Sequence, residues 1–194
     1  IVSYGLATGG ITGQSNSATT HKITNTWFDG RVAMKGEGGR WSAGIIGTLA
    51  GGNTVVDNCL FTGDITCEAT QAGSHIAGIA SMLVNKDTAL TIQNCLSDGH
   101  ITVKNTNQVA SVLARIPNNV TVTINNTYAT KECYSKAIGY NCEGGKLKGI
   151  PYTVLGSLLN GDGGCEWTSL DFNKYWGVVE NGTPTLKTFG GKSP

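Results

Sequence analysis

Proline is close to absent from this chain of 194 residues, which has only 4, and charge is scarce, with Asp, Glu, Lys and Arg making up 14%. So little proline leaves nearly every backbone N–H able to join a hydrogen-bonded ladder. The formal net charge is +1 and the 14 basic residues are scattered, without the basic stripe or block on which nucleic-acid binding rests. No apolar stretch approaches the roughly 18 residues that a membrane-crossing helix needs. No Cys-x-x-Cys pair occurs, which removes the usual structural zinc site. No secretion signal is recognisable, and the first residue is Ile1 rather than Met. The chain is read as a mature or excised piece of a larger protein, with no cofactor, no metal, no nucleic-acid partner and no membrane insertion.

Glycine, by contrast, is abundant at 28 residues, and Thr, Asn, Val and Ile are frequent. That mixture predicts short β-strands separated by tight Gly- and Asn-mediated turns. One phrase recurs four times: Ile23-Thr24-Asn25-Thr26-Trp27, Val56-Asp57-Asn58-Cys59-Leu60, Ile92-Gln93-Asn94-Cys95-Leu96 and Ile124-Asn125-Asn126-Thr127-Tyr128, with Asn-to-Asn steps of 33, 36 and 32 residues. A period in that range marks stacked structural units, each burying its apolar face on the next. Gly10-Ile11-Thr12-Gly13, Gly44-Ile45-Ile46-Gly47, Gly78-Ile79-Ala80-Ser81 and the weaker Ser111-Val112-Leu113-Ala114 precede the Asn phrases. Gly30-Arg31-Val32, Gly63-Asp64-Ile65 and Gly99-His100-Ile101 follow them, and Lys131-Glu132-Cys133 breaks the last copy.

Three β-branched segments per round predict a three-sided coil. Stacking places each strand parallel to its counterpart about 4.8 Å away. The expected fold is an all-β, right-handed parallel β-helix of four to five three-stranded coils, the hand following the usual crossover preference. A single domain spans 1–194, with repeat coils over 1–150 and an irregular final coil and aromatic-rich cap over 151–194. Within that last part, Val154 to Asn160 is read as a short helix or capping turn, Asn160-Gly161-Asp162-Gly163-Gly164 as a tight turn, and Trp167 and Trp176 as lid residues protecting an open edge.

At the Asn phrase two arrangements stand. If the strand stays regular, Ile92 and Asn94 point one way and Gln93 and Cys95 the other; a corner there breaks the alternation. Asn tolerates left-handed backbone, so Asn58, Asn94 and Asn126 are expected either to form an internal amide ladder or to serve simply as turn formers. Cys59 and Cys95 share a position with Thr26 and Thr127, which predicts free, buried thiols acting as small packing groups. Cys133, Cys142 and Cys165 lie outside the phrase, where one disulfide is expected.

Gly-Ile-x-Gly, Ile-x-Asn-Cys and Gly-x-Ile in this order resemble the GLUG-type β-helical repeats of bacterial secreted and surface proteins. Cys59-Leu60-Phe61-Thr62-Gly63-Asp64-Ile65 and Cys95-Leu96-Ser97-Asp98-Gly99-His100-Ile101 match best, and Tyr175-Trp176-Gly177 with Gly182-Thr183-Pro184-Thr185-Leu186-Lys187 is similar to the closing segment of such arrays. The resemblance implies a stalk, adhesin segment or binding module of a larger extracellular or cell-surface protein, and supplies no catalytic residues.

Catalysis on a β-helix needs clustered carboxylates or a metal with Arg. Asp29 and Asp98 precede their Gly whereas Asp64 follows its own, so the three are not expected in one line. His21, His75 and His100 show no metal-ligand spacing and are read as solvated surface residues. The expected function is therefore a non-enzymatic surface or adhesin-type module. The alternative is a glycan-binding module using exposed aromatics, and the third reading is a small carbohydrate-active enzyme. The candidate ligand residues are Trp41 and Trp27, whose rings could stack on a sugar. At Trp27 the other copies are apolar, which favours core or first-coil cap; at Trp41 the two readings stand level. A host or environmental glycan or a protein receptor is the expected partner.

Overall fold

The structure, a computed structural model, describes residues 1–38, 40–71, 73–85, 88–104, 108–116, 120–130, 133, 138–140, 146–149, 170–178 and 184–190. Those residues form parallel sheets wound into a β-solenoid of about three turns. The first rung contains β1 (Val2–Ser3), β2 (Ala7–Gly9), β3 (Thr12–Thr24) and β4 (Trp27–Phe28). The second contains β5 (Arg31–Met34), β6 (Trp41–Ala43), β7 (Ile46–Asp57) and β8 (Leu60–Phe61). In the third, β9 (Asp64–Cys67) and β10 (His75–Ala77) lead to a divided long side, β11 (Ala80–Leu83) and β12 (Ala89–Gln93), then β13 (Leu96–Ser97). The fourth repeats this as β14 (His100–Val103), β15 (Val109–Ala110), β16 (Leu113–Arg115), β17 (Thr121–Asn125) and β18 (Tyr128–Ala129). After it come β19 (Ile138–Tyr140), β20 (Lys146–Gly149) and an antiparallel hairpin, β21 (Trp176–Val178) and β22 (Pro184–Leu186).

Each rung thus has four sides rather than the expected three. A first face stacks β1, β5, β9 and β14; a second stacks β2, β6, β10 and β15; the long third face runs from β3 to β19 and β20; the fourth stacks β4, β8, β13 and β18. The second face was missed because Gly44-Ile45, read as strand, is the bend between β6 and β7. The residues before it, including Trp41, are the strand.

The Asn phrase is a corner. Asn25, Asn58, Asn94 and Asn126 have φ of 51°, 50°, 53° and 44°, the left-handed region that Asn enters more easily than other side chains bearing a Cβ. The backbone N–H groups of Asn25, Asn58 and Asn94 donate to carbonyls of the next rung, at Asp57, Gln93 and Asn125. The bend throws Ile92 and Cys95 both inward, so the column in the core is Thr26, Cys59, Cys95 and Thr127. Each of these donates to the carbonyl two residues earlier: Thr26 to Thr24 at 3.0 Å, Cys59 to Asp57 at 3.4 Å, Cys95 to Gln93 at 3.0 Å and Thr127 to Asn125 at 2.9 Å. Thr and Cys alternate there because both carry a donor at the γ position. The expected internal Asn ladder is only partial and sits at the outside of the corner. Asn126 donates to Asn94 at 3.3 Å, but Asn94 turns to the Asp57 carboxylate at 2.8 Å.

Cys59, Cys67, Cys95 and Cys133 are free and buried, which overturns a bridge through Cys133; Cys142 and Cys165 lie outside the described residues. Cys133 belongs to the core cluster, with Sγ 3.2 Å from Ser97 Oγ. Burial pushes its thiol up to about 11 and Cys95 well above the ordinary value. The thiolate is the reactive form, so Cys95 and Cys133 are expected to resist alkylation in native buffer and to label fully in urea. Native-state labelling at the rate of an exposed thiol, read by mass spectrometry, would contradict that packing.

Glycine and phenylalanine are matched across the core. Phe28 and Phe61 stack with centroids 6.3 Å apart and planes 8° from parallel. A Cβ on Gly44 would lie 2.2 Å from the Phe61 ring and 2.5 Å from the Gly78 carbonyl; on Gly99 it would lie 2.2 Å from the Gly63 carbonyl and 2.6 Å from the ring. In the next two rungs the Phe position becomes Ser97 and Ala129. There Ser111 and Cys133 occupy the space, with Ser97 Oγ donating to the Ser111 carbonyl at 2.6 Å and lying 3.2 Å from Cys133 Sγ. Where the repeat loses its glycine it has also lost its phenylalanine.

Residues 170–178 and 184–190 form a strap along the fourth face rather than a lid over the end of the stack. The outward column Trp27, Leu60, Leu96, Tyr128 receives Leu170, Trp176 and Leu186, with Phe172 and Tyr175 at the margin. Fourth-face strands carry apolar residues on both sides, as strands covered on both sides do. The expected helix or turn at Val154 to Asn160, the turn at Asn160 to Gly164, and Trp167 fall outside the described residues. Among the described residues no helix is long and apolar enough to cross a membrane.

Candidate functional site

In β10, Ile76 faces the core while His75 and Ala77 alternate away from it. Outward residues normally meet water, yet His75 is 1% exposed and Ala43, Ala77 and Ala110 are fully buried. The second and third faces meet there at a re-entrant angle, so the outside of one faces the outside of the other. Ser81 of β11 donates its Oγ proton to the His75 carbonyl at 2.7 Å, and Arg115 of β16 brings Nη1 to 3.1 Å from His75 Nε2. Small residues allow the fold: a Cβ on Gly47 would come within 2.5 Å of the Gly13 and Thr8 carbonyls. The expectation of a solvated His75 is therefore corrected. His100 is exposed, in register with Asp64 and Arg31, and His21 is half-buried in the first rung.

Burial, and then the Arg115 charge, pushes His75 down to about 4, so the ring is neutral near pH 7. Arginine can only donate, which makes Nε2 the acceptor and leaves the ring proton on Nδ1. His75 Nδ1 and Arg115 Nε are both buried without a partner, as is Gln108 Oε1 one rung further along the same outward column. Among the described residues no carboxylate pairs with Arg115. An unmet buried polar atom costs about 1–3 kcal/mol, and here two donors and an acceptor gather at one angle. A hydroxyl group, or a carboxylate beside a hydroxyl, has the matching chemistry.

Trp41 lies one rung before His75 on this column. It is half-buried, and its Nε1 donates to the Gly73 carbonyl at 3.2 Å, which fixes the ring at the rim of the angle. The structure thus places Trp41 in register with His75, which in turn meets Arg115, and separates Trp41 from Trp27. Trp27 sits on the fourth face under the strap, its centroid 5.4 Å from Phe189 and its Nε1 donating to Thr62 Oγ1 at 2.6 Å. Its ring packs, partly buried, against the cluster beneath the strap. The repeat itself could have located His75, three residues before Gly78 as Trp41 is three before Gly44. Nothing in the periodicity signals Arg115, because the angle that turns it toward His75 is a tertiary feature.

The acidic residues separate as expected. Asp29 and Asp98 share a column with Thr62 and Thr130, and Thr62 and Thr130 donate to them at 2.7 and 2.6 Å. Asp64 stands in the neighbouring column between Arg31 and His100. Among the described residues no three His, Cys, Asp or Glu side chains converge as a metal site.

Comparison with family models, with curated proteins and with solved structures returned no match.

Proposed function

We propose that this chain is a non-enzymatic, extracellular or cell-surface module of adhesive type, a right-handed β-helix with GLUG-type repeats belonging to a larger bacterial protein. Its adhesive contact is a glycan held at the re-entrant angle, with Trp41 stacking on a sugar ring and Arg115 meeting a carboxylate or hydroxyl. The observation that carries this reading is the group of buried, unpartnered polar atoms on His75, Arg115 and Gln108 beside an anchored, half-buried Trp. A passive stalk has no use for such an arrangement, and aromatic stacking with charge-assisted hydrogen bonds is how proteins grip sugars at low entropic cost.

A glycan array with the purified chain tests it. Binding is expected to favour acidic glycans, to weaken with salt, and to fall at least tenfold in both Trp41→Ala and Arg115→Gln, with unchanged circular dichroism. No binding to any glycan, or binding indifferent to both substitutions, returns the chain to the scaffold role alone. Turnover of a uronate polymer would replace both with the enzyme reading.

A further inference from the structure

The first rung differs from the others inside. Two core columns begin polar and continue apolar, Thr12 giving way to Ile46, Ala80 and Leu113 and Ser15 to Leu49 and Leu83, while a third runs from His21 through Thr54 to Leu90 and Val122. The Ile23, Val56, Ile92, Ile124 column stays apolar throughout. Thr12, Ser15 and His21 therefore make the third-face side of the first-rung interior polar, as Thr8 does on the second face. At that place β3 loses register with β7 between Ser15 and Thr20, the kind of irregularity that re-aims side chains beside a site. The result is a cleft of about 230 Å³ whose lining includes Thr12, Ser15, His21, Lys22, Ile23 and Ile46. Ser15 is 5% exposed, and both its Oγ and the His21 Nε2 are buried without a partner in the wall of the cleft.

We propose that this cleft is a second binding site, for one neutral pyranose ring. A cleft of this size has room for a sugar ring. Ile23 and Ile46 form an apolar floor for the C–H face of the ring. Ser15 Oγ and His21 Nε2 meet its hydroxyls, and Thr12 adds a further hydroxyl. The site does not rest on the Trp41 reading, being built on the inner side of a different face.

The test titrates the whole chain with the methyl pyranosides of glucose, galactose and mannose, followed by amide chemical shifts and calorimetry. Saturable binding is expected, with shifts centred on residues 12–23 and 46. Ser15→Leu installs the residue that occupies this position in the next two rungs, so it should fill the cleft, raise the melting temperature and weaken binding at least tenfold. His21→Ala, a milder change, should weaken it severalfold in a folded chain. No saturable binding of any of the three by the parent chain, or binding that Ser15→Leu leaves intact, overturns the proposal and makes the cleft a hydrated hollow. Loss of glycan-array binding in Trp41→Ala but not in Ser15→Leu would uphold the angle site while removing this one, and the opposite pattern would do the reverse.

Discussion

Phe61→Ala is expected to destabilise the solenoid by about 3–5 kcal/mol, as truncating a fully buried aromatic does when its surroundings cannot collapse. Collapse is unusually difficult here. Phe61 is buried completely, stacks on Phe28, and is ringed by the Cα positions of Gly44, Gly78 and Gly99. Those glycines belong to parallel rungs whose spacing of about 4.8 Å is set by backbone hydrogen bonds, and glycine has no side chain to swing into a void. Urea unfolding should show the midpoint falling with little change in slope. A loss below about 1 kcal/mol would mean that the rungs close over the hole and that the Gly–Phe matching is not what holds these coils. Truncation at the equivalent Ser97 removes little volume and should cost far less, although it abandons the Ser111 carbonyl.

Trp176→Ala is the second large effect, and it should be local. Trp176 is fully buried, contributes to the cluster over Leu60, Leu96 and Tyr128, and donates Nε1–H to Asn58 Oδ1 at 3.2 Å. The strap is otherwise joined to the solenoid by side-chain packing, its only strand pairing among the described residues being the hairpin with itself. Removing the indole should cost about 3–5 kcal/mol of docking free energy. Hydrogen exchange should then rise sharply over 170–178 and 184–190 while β7 and β12, each paired on both sides, keep their protection. Trp176→Phe keeps most of the packing and loses only the hydrogen bond, worth about 1 kcal/mol. Exchange that rises equally in strap and coils would show one cooperative unit, and exchange unchanged in the strap would show that other contacts hold it.

The solenoid was legible because its signals are local and repeated. A left-handed Asn, a γ-position donor answering the carbonyl two residues back, and glycine beside phenylalanine are each settled within one rung or between adjacent rungs. Repetition at 33, 36 and 32 residues announces them four times. Buried thiols followed from the same column logic, because Thr26 and Thr127 mark what Cys59 and Cys95 do. Cys133 was misjudged, since Lys131 and Glu132 break the phrase and conceal that Cys133 belongs to the core beside Ser97.

The candidate site was only half legible. Trp41 was visible as an aromatic in the loop expected before Gly44, but Trp27 drew the same suspicion and packs against the strap of residues 170–178 and 184–190. His75 read as solvated because it shows no metal-ligand spacing and lies near a predicted loop, and strand alternation does turn it away from the core. By itself, then, the sequence determined a parallel coiled architecture, its Asn corners and the residues of its core. Only the tertiary structure decided which outward residues meet water. Periodicity separates inside from outside for a single strand, whereas the angle between two faces and the flank chosen by a distant segment arise from contacts between parts of the chain that share no repeat.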